Sequence, residues 1–413
     1  MNTVLILLGV MAVTPLEVSV TSMRGDTVTG RLVEVTSQQL IIETAGGNRT
    51  LKSNELLLVR QVGELTAPLP RSENVATVVT LLDGSVLHAA KYTVDGARAN
   101  VSLLDGTETT ILTRAIDHVR LMPQTPATFD QWQELLKSPR KSDAVVIRKT
   151  ASTKDDSDET SVKVALDAPE GVVGDIDEST VGFVFDDTSV NVPRRKVEGV
   201  IYYHRTTSAS GDPMCRVIDA SGSRWNARTM KLKEDVLHGT CVAGVRFEIP
   251  LAQLTTLDYS VGNIDYLSDL PRESVVWKPR RSAGNPPSAH RWFSPKFDTG
   301  LYGSVLKLDD EPYEKGLALH SHAEVTYRLT KPYRNLLARV GVDDGFRYEA
   351  DLELRIYGDN EVLFSRKITG RDEPFDLELD MQGIRRLKIV VGYGNDDSER
   401  GDNLNLCNAR LTK

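Results

Sequence analysis

A chain of 413 residues exceeds the usual size of one domain, so two to four folding units are expected. Its 40% hydrophobic and 26% charged content is that of ordinary globular protein and excludes wholesale disorder. A formal net charge of −8 gains no counterion-release energy on nucleic acid, and no polybasic segment is present to attract anionic lipid.

The chain opens with an apolar run, Val4–Val13 (VLILLGVMAV). It is too short to span a bilayer, which needs roughly 20 residues, and it has the length of a signal-peptide h-region. Small residues at Ala12-Val13-Thr14 suit a cleavage site, so residues 1–14 are read as an export signal. Against this, no Lys or Arg precedes the run and Pro15 follows it, and a buried first strand is the alternative. Export implies a secreted, periplasmic or cell-surface protein. No other segment is long and apolar enough for a transmembrane span.

Four segments then share one layout: 15–70, 71–127, 162–206 and 207–270. Each alternates apolar and polar residues with period 2, as in Val18/Val20 and Leu40/Ile42, which is the pattern of a half-buried strand. Arg24-Gly25-Asp26, Gly46-Gly47, Asp83-Gly84 and Asp105-Gly106 are hairpin signals, because Gly and Asp accept the positive φ of tight turns. The predicted fold class is mostly β, with tandem small barrel-like repeats followed by an antiparallel sandwich. The repeat layout resembles SH3-like or Sm-like barrels.

Residues 128–161 are predicted as a helix plus linker. In Phe129–Lys137, Trp132, Leu135 and Leu136 fall at i, i+3 and i+4, a narrow apolar stripe. Lys149–Ser161 is polar and acidic and is read as a flexible loop. Residues 271–288 carry Pro, Gly and basic residues and are read as the linker to a last domain, 289–413. None of the three cysteines lies in a CxxC pair, which disfavours zinc and redox chemistry. A Cys215–Cys241 disulfide in an exported protein and three buried reduced thiols both remain open.

The last domain shows short strands at Val325–Leu329, Leu336–Val342, Leu352–Tyr357, Glu361–Ile368, Phe375–Leu379 and Leu387–Gly392, with a hairpin turn at Gly358-Asp359-Asn360. Strands of this spacing imply an antiparallel, jelly-roll-like sandwich. Its ordered motifs are Tyr313, Gly316, Leu317 and His320, then Val340, Gly341 and Asp343, and finally Asp402 with Ala409-Arg410-Leu411. In this order they resemble the NPCBM family of carbohydrate-binding modules over about 120 residues. The resemblance implies a glycan or polysaccharide ligand, with other surface proteins as further partners. The family commonly has a Trp in the last strand where this chain has Leu406. Losing that Trp matters little if the position packs in the core, and matters to binding if it forms the sugar platform.

Sugar recognition needs flat apolar faces and fixed hydrogen-bonding groups, which loops at one end of a sandwich supply. The candidates are His320, His322, Asp343, Asp344, Asn395, Asp402 and Asn403, with Trp292, Tyr302 or Tyr393 as platforms. Plainer roles compete: His320 bonding backbone, Asp343 and Asp344 capping the turn before Gly345, and Asn395-Asp396-Asp397 as a solvated turn. Oxygen-rich loops also suit a structural calcium ion, whose ligands are not assignable from sequence; no other cofactor is implied. No Gly-x-Ser-x-Gly, His-Glu-x-x-His or phosphate-loop motif occurs. The expectation is an exported, non-enzymatic glycan-binding protein. The alternatives are a structural or interaction protein that no longer binds sugar and, last, a hydrolase.

Overall fold

A computed structural model describes residues 16–63, 77–154, 160–205, 211–278, 292–347, 349–395 and 398–413. The run Val4–Val13 lies outside the described residues. The chain is mostly β and divides into two compact units, Met1–Gly262 and Asn263–Lys413.

In the first repeat, strands Glu17–Ser22, Thr27–Val35, Gln39–Thr44 and Gly47–Lys52 follow one another, and the 3-10 turn Ser53–Glu55 leads into Leu56–Gln61. The fifth strand returns to pair with the first, with Val20 opposite Val59, which brings the two ends of the repeat together. The period-2 residues Val18, Val20, Leu40 and Ile42 are all buried inside. At the hairpin tips Gly25 (φ +97°) and Gly47 (φ +102°) adopt a backbone that side-chain-bearing residues rarely reach. The same pairing recurs in the second repeat, Thr77–Leu81 with Ile116–Arg120, and in the fourth, Cys215–Asp219 with Leu254–Asp258.

The third repeat departs from the expected boundaries. Its first strand is Asp143–Lys154, and it pairs with Thr160–Asp167 across most of the segment read as a flexible loop. A polar composition is compatible with a two-stranded ribbon whose main-chain groups bond each other. Only the tip, 155–159, lies outside the described residues. The helix is present as Pro126–Lys137, with Pro at its first turn and Trp132 buried against Val146 and Ile201.

The repeats are not separate barrels. The closing strand of repeat one pairs with that of repeat four, Val59 opposite Leu257. The closing strand of repeat two pairs with that of repeat three, Val119 opposite Val200. All their strands join in one 21-stranded sheet around one apolar core. Units of about 45 residues bury too little surface to stand alone, and sharing strands removes exposed edges as well.

Polar groups lock these junctions. Between repeats two and four, the His88 Nδ1 lies 2.7 Å from the Ser221 carbonyl, and Asn226 Nδ2 donates to the Asp83 carbonyl at 2.6 Å. Between repeats two and three, Glu198 is fully buried. Its Oε1 accepts from Arg120 Nη2 (2.9 Å) and from Thr128 Oγ1 of the helix (3.3 Å), and its Oε2 accepts from Arg148 Nε (2.7 Å).

Cys215 and Cys241 are free thiols, which corrects the disulfide reading. Both sit opposite Ala227, on its two flanking strands. They are therefore two strand spacings apart, roughly 9–10 Å, beyond the ~7 Å between Cα atoms that a disulfide tolerates. Burial pushes the Cys241 thiol up to about 12. On the middle of these strands, a Cβ on Gly239 would stand 2.1 Å from the Phe247 ring, which stacks on Trp225 at 5.0 Å. Gly239→Ala is therefore expected to destabilise by about 1–3 kcal/mol through overpacking, measured as a lowered urea midpoint.

The second unit is a two-sheet antiparallel sandwich. One sheet runs Lys296–Phe297, Gly316–His320, Asn403–Thr412, Asn335–Val342, Phe375–Asp380, with Ile264–Tyr266 also on the long Asn403–Thr412 strand. The other runs Arg272–Trp277, Ala323–Arg328, Arg386–Tyr393, Asp351–Gly358, Glu361–Thr369. The segment read as linker 271–288 thus supplies an edge strand, and the sandwich starts near residue 263 rather than 289. Val275 and Trp277 within that Pro- and Arg-rich stretch carry the strand. The hairpin turn forms as expected, with Asp359 and Asn360 at positive φ.

Candidate functional site

Alternation along Gly316–His320 sorts its side chains. Leu317 and Leu319 join the core between the sheets, while Ala318 packs beneath Leu301, Leu306 and Leu308 on the outer face. His320 shares that outer parity. On the neighbouring strand Leu404 and Leu406 face the core, and Asn403, Asn405 and Cys407 face outward. His320 and Asn403 are direct cross-strand partners, a placement that brings Cβ atoms within about 5 Å.

Both are buried, each 2% exposed. The Phe293 ring packs on His320 with centroids 4.3 Å apart, and Trp277 packs on Phe293 at 5.4 Å. Burial pulls the His320 imidazole down to about 4, so the ring is neutral at neutral pH. It is held by the main chain, as the plainer reading had it: Nδ1 lies 3.4 Å from the Ser321 carbonyl, and the Glu399 backbone is a second partner. The Asn403 side chain has no hydrogen-bond partner on either its oxygen or its nitrogen among the described residues.

Phe293 is preceded by Trp292, which is 44% exposed, as is Tyr302. The two rings lie 5.9 Å apart, and Tyr302 meets Phe346 at 5.3 Å, so three aromatics form a row. The exposed ring of His322 lies 4.1 Å from Tyr393.

The acidic candidates are occupied by the fold. Asp343 caps the turn Asp344–Phe346 by accepting from Gly345 N–H at 3.1 Å, and it also accepts from Asn405 Nδ2 at 2.9 Å. Asp344 accepts from the N–H groups of Asp309 and Asp310 at 3.0 and 2.9 Å, pinning the turn of the hairpin that covers the outer face. Asp402 is fully buried and accepts from Asp351 N–H at 3.1 Å. Asn395 donates its own N–H to Asp351; Asp396 and Asp397 lie outside the described residues. Among the described residues no three His, Cys, Asp or Glu side chains gather as a cation site requires. The structure thus pairs His320 with Asn403, sets Trp292 beside Tyr302, and ties Asp343, Asp344 and Asp402 to main-chain N–H groups. Phe293 and Phe346 were not singled out from sequence, although Phe293 adjoins Trp292.

The motif residues Gly316, Leu317 and His320 therefore lie on one strand and Val340 and Gly341 on another, with Asn403–Thr412 paired between them, and Asp343 begins the loop that follows. Residues 265–412 match the sequence model of the NPCBM/NEW2 domain. The second unit is an NPCBM domain. Its bounds agree with the structural unit and take in the two early strands. Solved structures similar to this chain include the following three. The CBM51 module of Clostridium perfringens GH95, in complex with methyl-galactose, is 26% identical over 36% of this chain and 99% of that one, TM-score 0.31. The CBM51-2 and INT domains of Clostridium perfringens ZmpB are 18% identical over 45% of this chain, TM-score 0.31. The same domains with GlcNAc are 17% identical over 48% of this chain, TM-score 0.31. This chain spans 37% and 43% of those last two chains. No curated protein sequence matches. In this NPCBM domain Leu406 is wholly buried between the sheets. The departure from the family's Trp therefore falls in the core and away from the outer face that carries His320.

Proposed function

We propose that the chain is an exported, non-enzymatic glycan-binding protein whose NPCBM domain takes sugar at the Trp292–Tyr302 end of its outer face. One observation carries this reading: an exposed aromatic row, Trp292, Tyr302 and Phe346, follows directly on Phe293, whose ring packs on the buried His320. A pyranose presents a C–H face to aromatic rings and hydroxyls that both donate and accept. The neutral, main-chain-anchored His320 fixes the Phe293–Trp292 segment above.

Export is supported by the Val4–Val13 run. The non-catalytic reading is supported by Asp343, Asp344 and Asp402, each committed to main-chain N–H groups. The core position of Leu406 weakens one reason to favour an interaction protein that has lost sugar binding.

A glycan array probed with the full chain is expected to give specific binding. Trp292→Ala, at an exposed position, should weaken it roughly tenfold or more without shifting the melting temperature. An array without specific binding would reject the reading. Release of reducing ends from the bound glycan would reject its non-enzymatic part.

A further inference from the structure

The repeat unit carries a second concave surface. In repeat four, strands Arg224–Lys233, Val236–Cys241 and Arg246–Pro250 pair in order. Lys231, His238 and Glu248 stand opposite one another in one row, and Thr229, Thr240 and Arg246 in the next but one. The row between them, Met230, Gly239 and Phe247, turns toward the core, where Met230 and Phe247 are buried. Six polar side chains thus share the outward face of one three-stranded sheet.

Repeat one raises a wall beside it, from Thr36 to Gln39. The two repeats touch here through a single bridge, Thr36 opposite Lys231, and through Ser37 Oγ, which accepts from Met230 N–H at 3.1 Å. Beyond that bridge the sheets part and leave a cleft of about 780 Å³, within the usual size range of small-molecule sites.

The chemistry of the cleft is specific. His238 Nδ1 and Glu248 Oε1 pair at 3.1 Å. Lys231 and Arg246 lie on opposite sides of that pair and, among the described residues, have no ion-pair partner. Lys231 and Arg246 outnumber the one carboxylate of the cleft, Glu248, and this net positive lining, in a chain with net charge −8, favours an anion. Neutral sugar is disfavoured, because the one aromatic lining residue, Phe247, lies beneath Gly239 in the core. Strand addition by a peptide is disfavoured, because the floor is the face of strands already bonded to each other. Thr, Ser and Gln side chains both donate and accept, which matches hydroxyls, whereas ionised Asp and Glu side chains only accept.

We propose that this cleft binds a carboxylated oligosaccharide, with Lys231 and Arg246 meeting uronate groups and the Thr229, Thr240, Ser37 and Gln38 side chains meeting hydroxyls. The site is independent of the aromatic end of the NPCBM domain.

Titration calorimetry of the full chain with oligogalacturonate tests it. Binding is expected, weakened roughly tenfold or more by Lys231→Gln with Arg246→Gln and weakened by added salt. Both positions are exposed, and an unchanged melting temperature will show that the double variant folds. The same affinity in Trp292→Ala separates this cleft from the aromatic end. Absence of binding, equal binding of a neutral galactose oligomer, equal binding of a glutamate oligomer, or indifference to the double substitution would each overturn the proposal.

Discussion

Glu198→Gln is expected to lower the thermal midpoint of the repeat unit by roughly 10 °C. The carboxylate is fully buried and serves two guanidiniums, Arg120 and Arg148, which come from different repeats. It also accepts from Thr128 on the helix. Gln keeps the volume but removes the charge, and its NH2 group then faces a guanidinium instead of accepting from it. Removing one partner of a buried ion pair costs about 3–5 kcal/mol. For a unit of this size each kcal/mol moves the midpoint by about 2–4 °C. Differential scanning calorimetry reads the shift. Replacing the whole network, with Glu198→Leu, Arg120→Met and Arg148→Met, should recover most of the loss, because no unpaired charge is then left inside. A shift below about 2 °C in Glu198→Gln would mean that water reaches the carboxylate and that the network does not hold repeats two and three together.

That network also shows where sequence reasoning stops. Local signals read well. Val18, Val20, Leu40 and Ile42 announced their strands, Gly25 and Asp359-Asn360 their turns, and Trp132 its helix stripe, because each depends only on near neighbours and backbone preference. The pairing of repeat one with four and two with three was invisible, since strand edges carry no partner label. Glu198 is one of 58 acidic residues, and its partners stand 78 and 50 residues away. A clue was present in Val197-Glu198-Gly199-Val200-Ile201, one charge inside an otherwise apolar strand. In the NPCBM domain, ordered motifs pointed to His320, Asp343 and Asp402, but motif residues are retained for folding as well as for binding. Only parity with Leu317, Leu319, Leu404 and Leu406 separates the outward pair His320–Asn403 from the core. Only hydrogen-bond geometry reveals that Asp343, Asp344 and Asp402 serve the backbone. The early strand Arg272–Trp277 was missed because Pro271, Pro279 and the arginines outweighed Val275 and Trp277.

The second large effect concerns acid. His320 is held neutral by burial, its imidazole pulled down to about 4 from an ordinary value of 6.5. Above pH 6.5 the folded and unfolded forms are both neutral and His320 adds no pH dependence. Below 6.5 the unfolded chain takes up a proton that the folded domain refuses, so stability falls with pH until the folded imidazole itself titrates near 4. Between pH 8 and pH 5 the linked loss is about 2 kcal/mol, and on the order of 3 kcal/mol in full. Urea unfolding of the full chain at several pH values, compared with His320→Gln, isolates this contribution, because the remaining titratable groups titrate alike in both proteins. The wild type should lose about 2 kcal/mol more than the variant on going to pH 5. Equal losses would mean that the imidazole is solvated or already charged in the fold. The Phe293–His320 stack could not then be the rigid support from which Trp292 is presented, and the aromatic end would lose its claim to preorganisation.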